Sequence, residues 1–294
     1  MNWKLTRRRF GQVAIASTAV AGLGYLANKT FAQTPSPTPD LNIYGMKPDP
    51  KSSIAGGIVL HSLDMARSRV VTQTLPQVRV RATPILQIGE QLTDLTCLAD
   101  GTFVLAITPV RAGIKEGEPT RLVFLGTSPR TVTVSGLKKQ DRLESLLVAN
   151  GGSLLALLIK KNGRPPVDLV EIDLSTGEIS LVDKIKLPQT QRFSKLAQCP
   201  NGTLYTTAVG RLGETSLVQL DLAQGKAIVR SQLKVDGTVW NSGLSDLVCS
   251  RAGQLLALGA PRYESPNLVY SVDTSNGTMT ALTPFDVVKF TIAR

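Results

Sequence analysis

The chain has 294 residues, of which 42% are hydrophobic, 19% charged and 5% aromatic, with 33 basic against 22 acidic residues and a formal charge of +11. That composition excludes a disordered tail, a collagen and a coiled coil, and fits one or two ordinary domains. The one long apolar run lies at the extreme N-terminus, which excludes a polytopic membrane protein.

The N-terminus reads as an address. Thr6-Arg7-Arg8-Arg9-Phe10-Gly11-Gln12 precedes a mildly apolar stretch, Val13 to Ala27, and then Asn28-Lys29-Thr30-Phe31-Ala32. This basic, apolar, small-residue order is that of a secretory signal. It resembles the twin-arginine translocation leader, in which Ser or Thr, two arginines, any residue, Phe, Leu and Lys follow one another. Arg7, Arg8 and Phe10 match, while Gly11 and Gln12 replace the last two residues. The resemblance implies export of the folded chain by the twin-arginine translocase and a cut after Ala32. The destination would be the periplasm, or the thylakoid lumen in a photosynthetic bacterium. The alternative is a short membrane anchor that is never cleaved. Loss of residues 1–32 leaves 28 basic against 22 acidic residues, a charge of +6. With no recognition motif present, that modest excess argues against a nucleic-acid partner.

From Gln33 to Ser53 the chain has prolines at 35, 37, 39, 48 and 50 and little apolar content, the composition of an extended tether. The expected organisation is therefore a signal over 1–32, a Pro-rich tether over 33–53 and a folded body over 54–294.

The body repeats. Leu92-Thr-Asp-Leu95, Leu143-Glu-Ser-Leu146, Phe193-Ser-Lys-Leu196 and Leu244-Ser-Asp-Leu247 each lead, nine residues after their first member, to a turn glycine at 101, 152, 202 and 253. Spacings of 51, 50 and 51 mark a blade-like repeat. Each glycine closes a tight hairpin between apolar runs. A second hairpin follows around Asp173 to Gly177, Asp221 to Gly225 and Asp273 to Gly277, and a degenerate one around Ser128-Pro129. Four strands in about fifty residues make one propeller blade. These phrases resemble the blade motifs of the NHL, YVTN and quinoprotein-like β-propellers, a resemblance that implies fold and not function. Quinoprotein blades carry a Trp where this chain has Val182, Val229 and Leu282, which argues against a quinone. Gly57 to Val71 matches a second hairpin without a first, and Val287 to Ile292 is one strand-like run after the last hairpin. The expected fold is all-β: a five-bladed β-propeller of four-stranded blades, one blade shared by the two termini.

Chemistry-bearing residues are sparse. His61 is the one histidine and lies in a strand-like run, the setting of a structural histidine. Cys97, Cys199 and Cys249 have no metal-ligand spacing, and buried thiols are expected, although an oxidising destination permits a bond. No G-x-S-x-G elbow occurs, and Asp273-Thr-Ser-Asn-Gly277 reads as a turn, not a calcium loop. No catalytic residue, metal or cofactor is therefore assigned.

One pattern remains. Nine or ten residues after each turn glycine stands a cation, Arg111, Lys161, Arg211 or Arg262, in the loop between the second and third strands of its blade. Loops of that class emerge on one face, where the innermost strand also starts. Its third aligned position holds Asp94, Ser145, Lys195 and Asp246, placed by this reading at the channel mouth. A basic face of this kind attracts acidic surfaces. The expectation is a non-catalytic scaffold or membrane-complex assembly factor for an acidic protein partner. The alternatives are a lactonase-type propeller hydrolase, with Asp94, Asp246 and Lys195 around the channel, and a periplasmic small-ligand binder.

Overall fold

The computed structural model describes residues 42–48, 57–65, 67, 69–73, 85–110, 120–138, 141–159, 167–185, 191–261 and 266–292. Among these the regular structure is strand throughout, and no helix is long and apolar enough to cross a membrane. Arg7, Arg8, Phe10 and Ala32 lie outside the described residues.

Five four-stranded antiparallel sheets form. Blade 2 comprises β4 (Glu90–Cys97), β5 (Phe103–Pro109), β6 (Arg121–Leu125) and β7 (Arg130–Thr133). Blade 3 comprises β8 (Arg142–Val148), β9 (Leu154–Ile159), β10 (Val167–Ile172) and β11 (Ile179–Ile185). Blade 4 comprises β12 (Arg192–Gln198), β13 (Leu204–Val209), β14 (Thr215–Asp221) and β15 (Lys226–Gln232). After a small hairpin of β16 (Lys234–Val235) and β17 (Thr238–Val239), blade 5 comprises β18 (Asp246–Cys249), β19 (Leu255–Gly259), β20 (Leu268–Val272) and β21 (Met279–Pro284). Blade 1 closes the set: β22 (Lys289–Ile292) pairs with β1 (Asn42–Pro48), followed outward by β2 (Ile58–Asp64) and β3 (Arg69–Gln73). Strands β22, β4, β8, β12 and β18 each touch the next in that order and β18 touches β22, so five innermost strands surround one axis. The fold is the expected five-bladed β-propeller with one blade drawn from both ends of the chain.

The repeat glycines do the work assigned to them. Gly101, Gly152, Gly202 and Gly253 sit at φ of 85°, 86°, 83° and 83°, where a side chain is strained. Each donates its N–H three residues back, to Leu98, Ala149, Cys199 or Ser250. Strands such as β9, Leu-Leu-Ala-Leu-Leu-Ile, are buried along their whole length because both faces of the sheet pack against a neighbouring blade. The core accordingly falls into five clusters, one at each seam between blades.

Part of the stretch read as a tether belongs to the propeller. Strand β1 runs from Asn42 to Pro48, and its Ile43 and Met46 are fully buried. Its partners are β2 on one side and the C-terminal strand on the other, with Gly45 opposite both His61 and Phe290. Gly45 is required by close approach: a Cβ there would collide with the side chains of Val287 and Phe285. The prolines that suggested a tether flank this strand, apart from Pro48 at its end.

Candidate functional site

Each innermost strand carries a bulge or ends near one side chain that faces its neighbours around the axis. In β4, β8 and β12 the register slips between Leu92 and Asp94, Leu143 and Ser145, and Phe193 and Leu196. A bulge re-aims the residue beside it. Asp94, Ser145, Lys195 and Asp246 thereby come together in one layer, with Lys289 of β22 as the fifth member. All five are buried, at 1%, 1%, 5%, 3% and 9% exposure, so they line the middle of the axis and not its mouth. The expectation of a channel-mouth position is corrected on this point: the side chains there are buried, although Asp246 and Lys289 are the first residues of β18 and β22.

The layer joins blades. Asp94 accepts the N–H of Leu146 in blade 3, Ser145 accepts Leu196 N–H of blade 4 at 3.1 Å, and Asp246 accepts Phe290 N–H of blade 1 at 3.0 Å. A lysine cannot accept such a bond. Where Lys195 and Lys289 hold the equivalent place, the next blade's N–H is served by its own residue's neighbour: Leu247 by Asp246 at 2.9 Å and Leu95 by Asp94 at 3.0 Å. Each carboxylate thus has two backbone donors and substitutes for the lysine before it. Lys289 Nζ in turn donates to Ser245 O at 2.8 Å, a further tie between blades 1 and 5.

Around the axis the order Asp94, Ser145, Lys195, Asp246, Lys289 places two anions among two cations. Burial pushes the Asp246 carboxyl up to about 7, with the negative charge of Asp94 adding and the lysines opposing. Burial pulls the Lys289 ammonium down to about 8, helped by the charge of Lys195. For Lys195 burial acts downward, but the carboxylates of Asp94, Glu144 and Asp246 outweigh it and raise the value. Displacement toward neutrality, as at Asp246 and Lys289, is a mark of functional sites and of buried ion networks alike.

Beyond the layer, toward the repeat hairpins, lies a cavity of about 250 Å³. Every blade contributes to its wall, through Thr96, Leu147, Ala197, Val248 and Thr291 among others, together with Asp246 from the charged layer. Cys249 also borders it, and is bonded to Cys199 with Cα atoms 5.0 Å apart. This disulfide overturns the expectation of three buried thiols; Cys97 alone stays outside a disulfide, with its Sγ against Leu98 O at 3.5 Å. The ends of β12 and β18 run side by side in adjacent blades, within the reach that a disulfide needs. The seam it bridges, between blades 4 and 5, is one where a lysine replaces the hydrogen-bond acceptor.

Of the four loop cations, Arg211 is exposed in the turn between β13 and β14, where Glu214 accepts the Leu212 N–H at 3.0 Å. Arg111, Lys161 and Arg262 lie outside the described residues. His61 sits in β2 with Nδ1 3.1 Å from Thr72 Oγ1, held below the usual imidazole value by burial and by Lys47 against the pull of Asp286. Asp273 caps its own turn, accepting Ser275 N–H at 2.8 Å and Ser275 Oγ–H at 2.6 Å, the geometry of an Asx turn. Among the described residues no three His, Cys, Asp or Glu side chains are grouped to hold a metal ion.

Lys289 and Glu144 were missed in the sequence. The signal for Lys289 was present: Val287-Val-Lys289-Phe290 is a fifth copy of the phrase containing Asp94, Ser145, Lys195 and Asp246, with no hairpin glycine after it.

The geometry defines the class, a β-propeller whose axial polar groups bind its blades together. No family model matches the chain and no curated protein matches it. Among solved structures the chain is similar to TolB from Acinetobacter baumannii, with a TM-score of 0.47 and 16% identity over 84% of this chain and 54% of that one. It is also similar to puromycin hydrolase, with a TM-score of 0.44 and 17% identity over 82% of this chain and 45% of that one. A third is virginiamycin B lyase from Staphylococcus aureus, with a TM-score of 0.41 and 13% identity over 83% and 70%. The chain therefore spans about half the length of the first two.

Proposed function

We propose that this chain is an exported, non-catalytic propeller that docks an acidic protein surface, as a scaffold or assembly factor of a membrane complex. The observation that carries the reading is the commitment of the axial groups: both carboxylates and the serine are taken up by backbone donors of adjacent blades. Side chains so engaged hold the ring together, which leaves the loop faces for recognition. The Cys199–Cys249 bond supports an oxidising destination, since disulfides persist outside the reducing cytosol. Exposed Arg211, with Arg111, Lys161 and Arg262 at the equivalent sequence positions, supplies the charge for an acidic partner.

The test is capture from the native membrane fraction at low salt by the parent chain and by a variant carrying Arg111→Glu, Lys161→Glu, Arg211→Glu and Arg262→Glu. The expected outcome is a defined partner held by the parent, lost by the variant, with a difference that shrinks as salt rises. Equal capture by both chains refutes docking through these cations. The rival reading, a small-ligand or hydrolytic channel, then gains, because the cavity beside Asp246 sets a concave space against a carboxyl of displaced proton affinity.

A further inference from the structure

The axis holds a second layer, two residues on from the charged one in each innermost strand. Its members are Thr96, Leu147, Ala197, Val248 and Thr291, and the cavity of about 250 Å³ lies between them and the repeat hairpins. Asp246 meets it from the charged layer, and exposed Asn150, Pro200 and Arg251 border it, so it reaches water on the hairpin face. The turn that carries Arg211 lies at the opposite end of blade 4.

The wall has two sides. Thr96 in blade 2 and Thr291 in blade 1 stand on adjacent innermost strands, and a hydroxyl both donates and accepts a hydrogen bond. Leu147, Ala197 and Val248, in blades 3, 4 and 5, complete the circuit with apolar surface. An innermost strand has no sheet partner on its axial side, so alternate backbone groups turn to the axis. Cys199 and Ser250 donate across their own hairpins, which leaves the N–H and C=O of the residues before them, Gln198 and Cys249, on the axial side.

The charges beside the cavity balance. Asp94 and Asp246 share the layer with Lys195 and Lys289, while Glu144, which acts on Lys195, is paired with Arg142 at 3.2 Å. An ion entering here would leave water with no net opposite charge to receive it. Arg251 is exposed, where solvent screens its charge. The volume falls short of the about 300–1,000 Å³ of pockets that hold drug-sized molecules, which points to a smaller guest.

We propose that this cavity binds a small neutral alcohol with a cyclic or aromatic body, its hydroxyl toward Thr96 and Thr291 and its body against Leu147, Ala197 and Val248. The proposal goes beyond the docking of an acidic partner and uses other residues on the other face, so either can fail alone.

Three probes share one body and differ in charge: benzyl alcohol, benzoate and benzylamine. Each is titrated against the full chain near neutral pH by ligand-observed NMR. The alcohol is expected to bind with a dissociation constant of about 1 mM, and both ions about tenfold more weakly or worse. Val248→Phe, which fills the cavity, should abolish binding; Thr96→Val and Thr291→Val, which keep its shape, should each weaken it roughly threefold to tenfold. Reversal of the four loop cations should leave the alcohol's affinity unchanged, which separates this site from the docking face. Where Val248→Phe does not fold, the two threonine variants decide. No saturable binding of the alcohol, an ion that binds as tightly, a folded Val248→Phe that binds like the parent, or threonine variants that both match the parent would each overturn the proposal.

Discussion

At the scale of single residues, Asp246 carries the clearest pH signature. Its folded value of about 7 stands above the ordinary 3.8, so the folded state holds a proton that the unfolded chain has released. The stability this contributes is complete below the ordinary value and is lost as pH rises through about 7. Lys289 works in the opposite sense: its value of about 8 lies below 10.5, so its contribution is complete above the ordinary value and is lost as pH falls through about 8. The two together are weakest near neutrality. Asp246→Asn should abolish the acid limb, so the difference in thermal midpoint between variant and parent moves in the variant's favour from pH 4 to pH 7. A parallel pair of midpoint curves would contradict this. An Asn oxygen still serves one of the two N–H groups of Leu247 and Phe290, which keeps the variant folded enough to measure.

At the scale of elements, the seams between innermost strands differ in kind. Blades 2 and 3, 3 and 4, and 5 and 1 are tied by a side-chain acceptor on a backbone donor. Blades 4 and 5 have Lys195 at that place and a disulfide instead. A crosslink between residues 50 apart removes on the order of 4 kcal/mol of chain entropy from the unfolded state. Cys199→Ser/Cys249→Ser should therefore lower the urea midpoint, and hydrogen exchange should rise first in β12 and β18. Uniform protection around the ring after removal of the bond would show that this seam does not rely on it. Most of these elements were legible in the sequence because the turn glycine needs a positive φ, and Gly101, Gly152, Gly202 and Gly253 announce it. The Cys199–Cys249 pair was not, because repeat spacing gives a residue's place in its blade but not how far the ends of adjacent strands converge. The role of Asp94 was half legible: its place in the repeat was plain, whereas its bond to another blade depends on a bulge that leaves no sequence mark.

At the scale of the whole molecule, closure rests on blade 1. Gly45 is where the first strand of the described chain meets the last, under Phe285 and Val287. Gly45→Ala should overfill that junction and cost about 1–3 kcal/mol, read as a lower urea midpoint with an unchanged blade core. An unaffected midpoint would mean that Phe285 and Val287 give way freely. This strand escaped notice because its neighbourhood is rich in proline, and composition averages over a window wider than the seven residues of β1.

The pairing of Ile43 with Ile292 also sets a schedule. A ribosome releases the beginning of β1 long before it makes β22, and until then β1 has no inner partner. Holding the two ends together across some 250 residues costs about 5 kcal/mol of loop entropy, which the intervening blades must offset before the last strand can dock. Closure of this ring thus waits for the synthesis of β22, and any cellular machinery that selects for completed folding would be reading, in effect, the arrival of that strand.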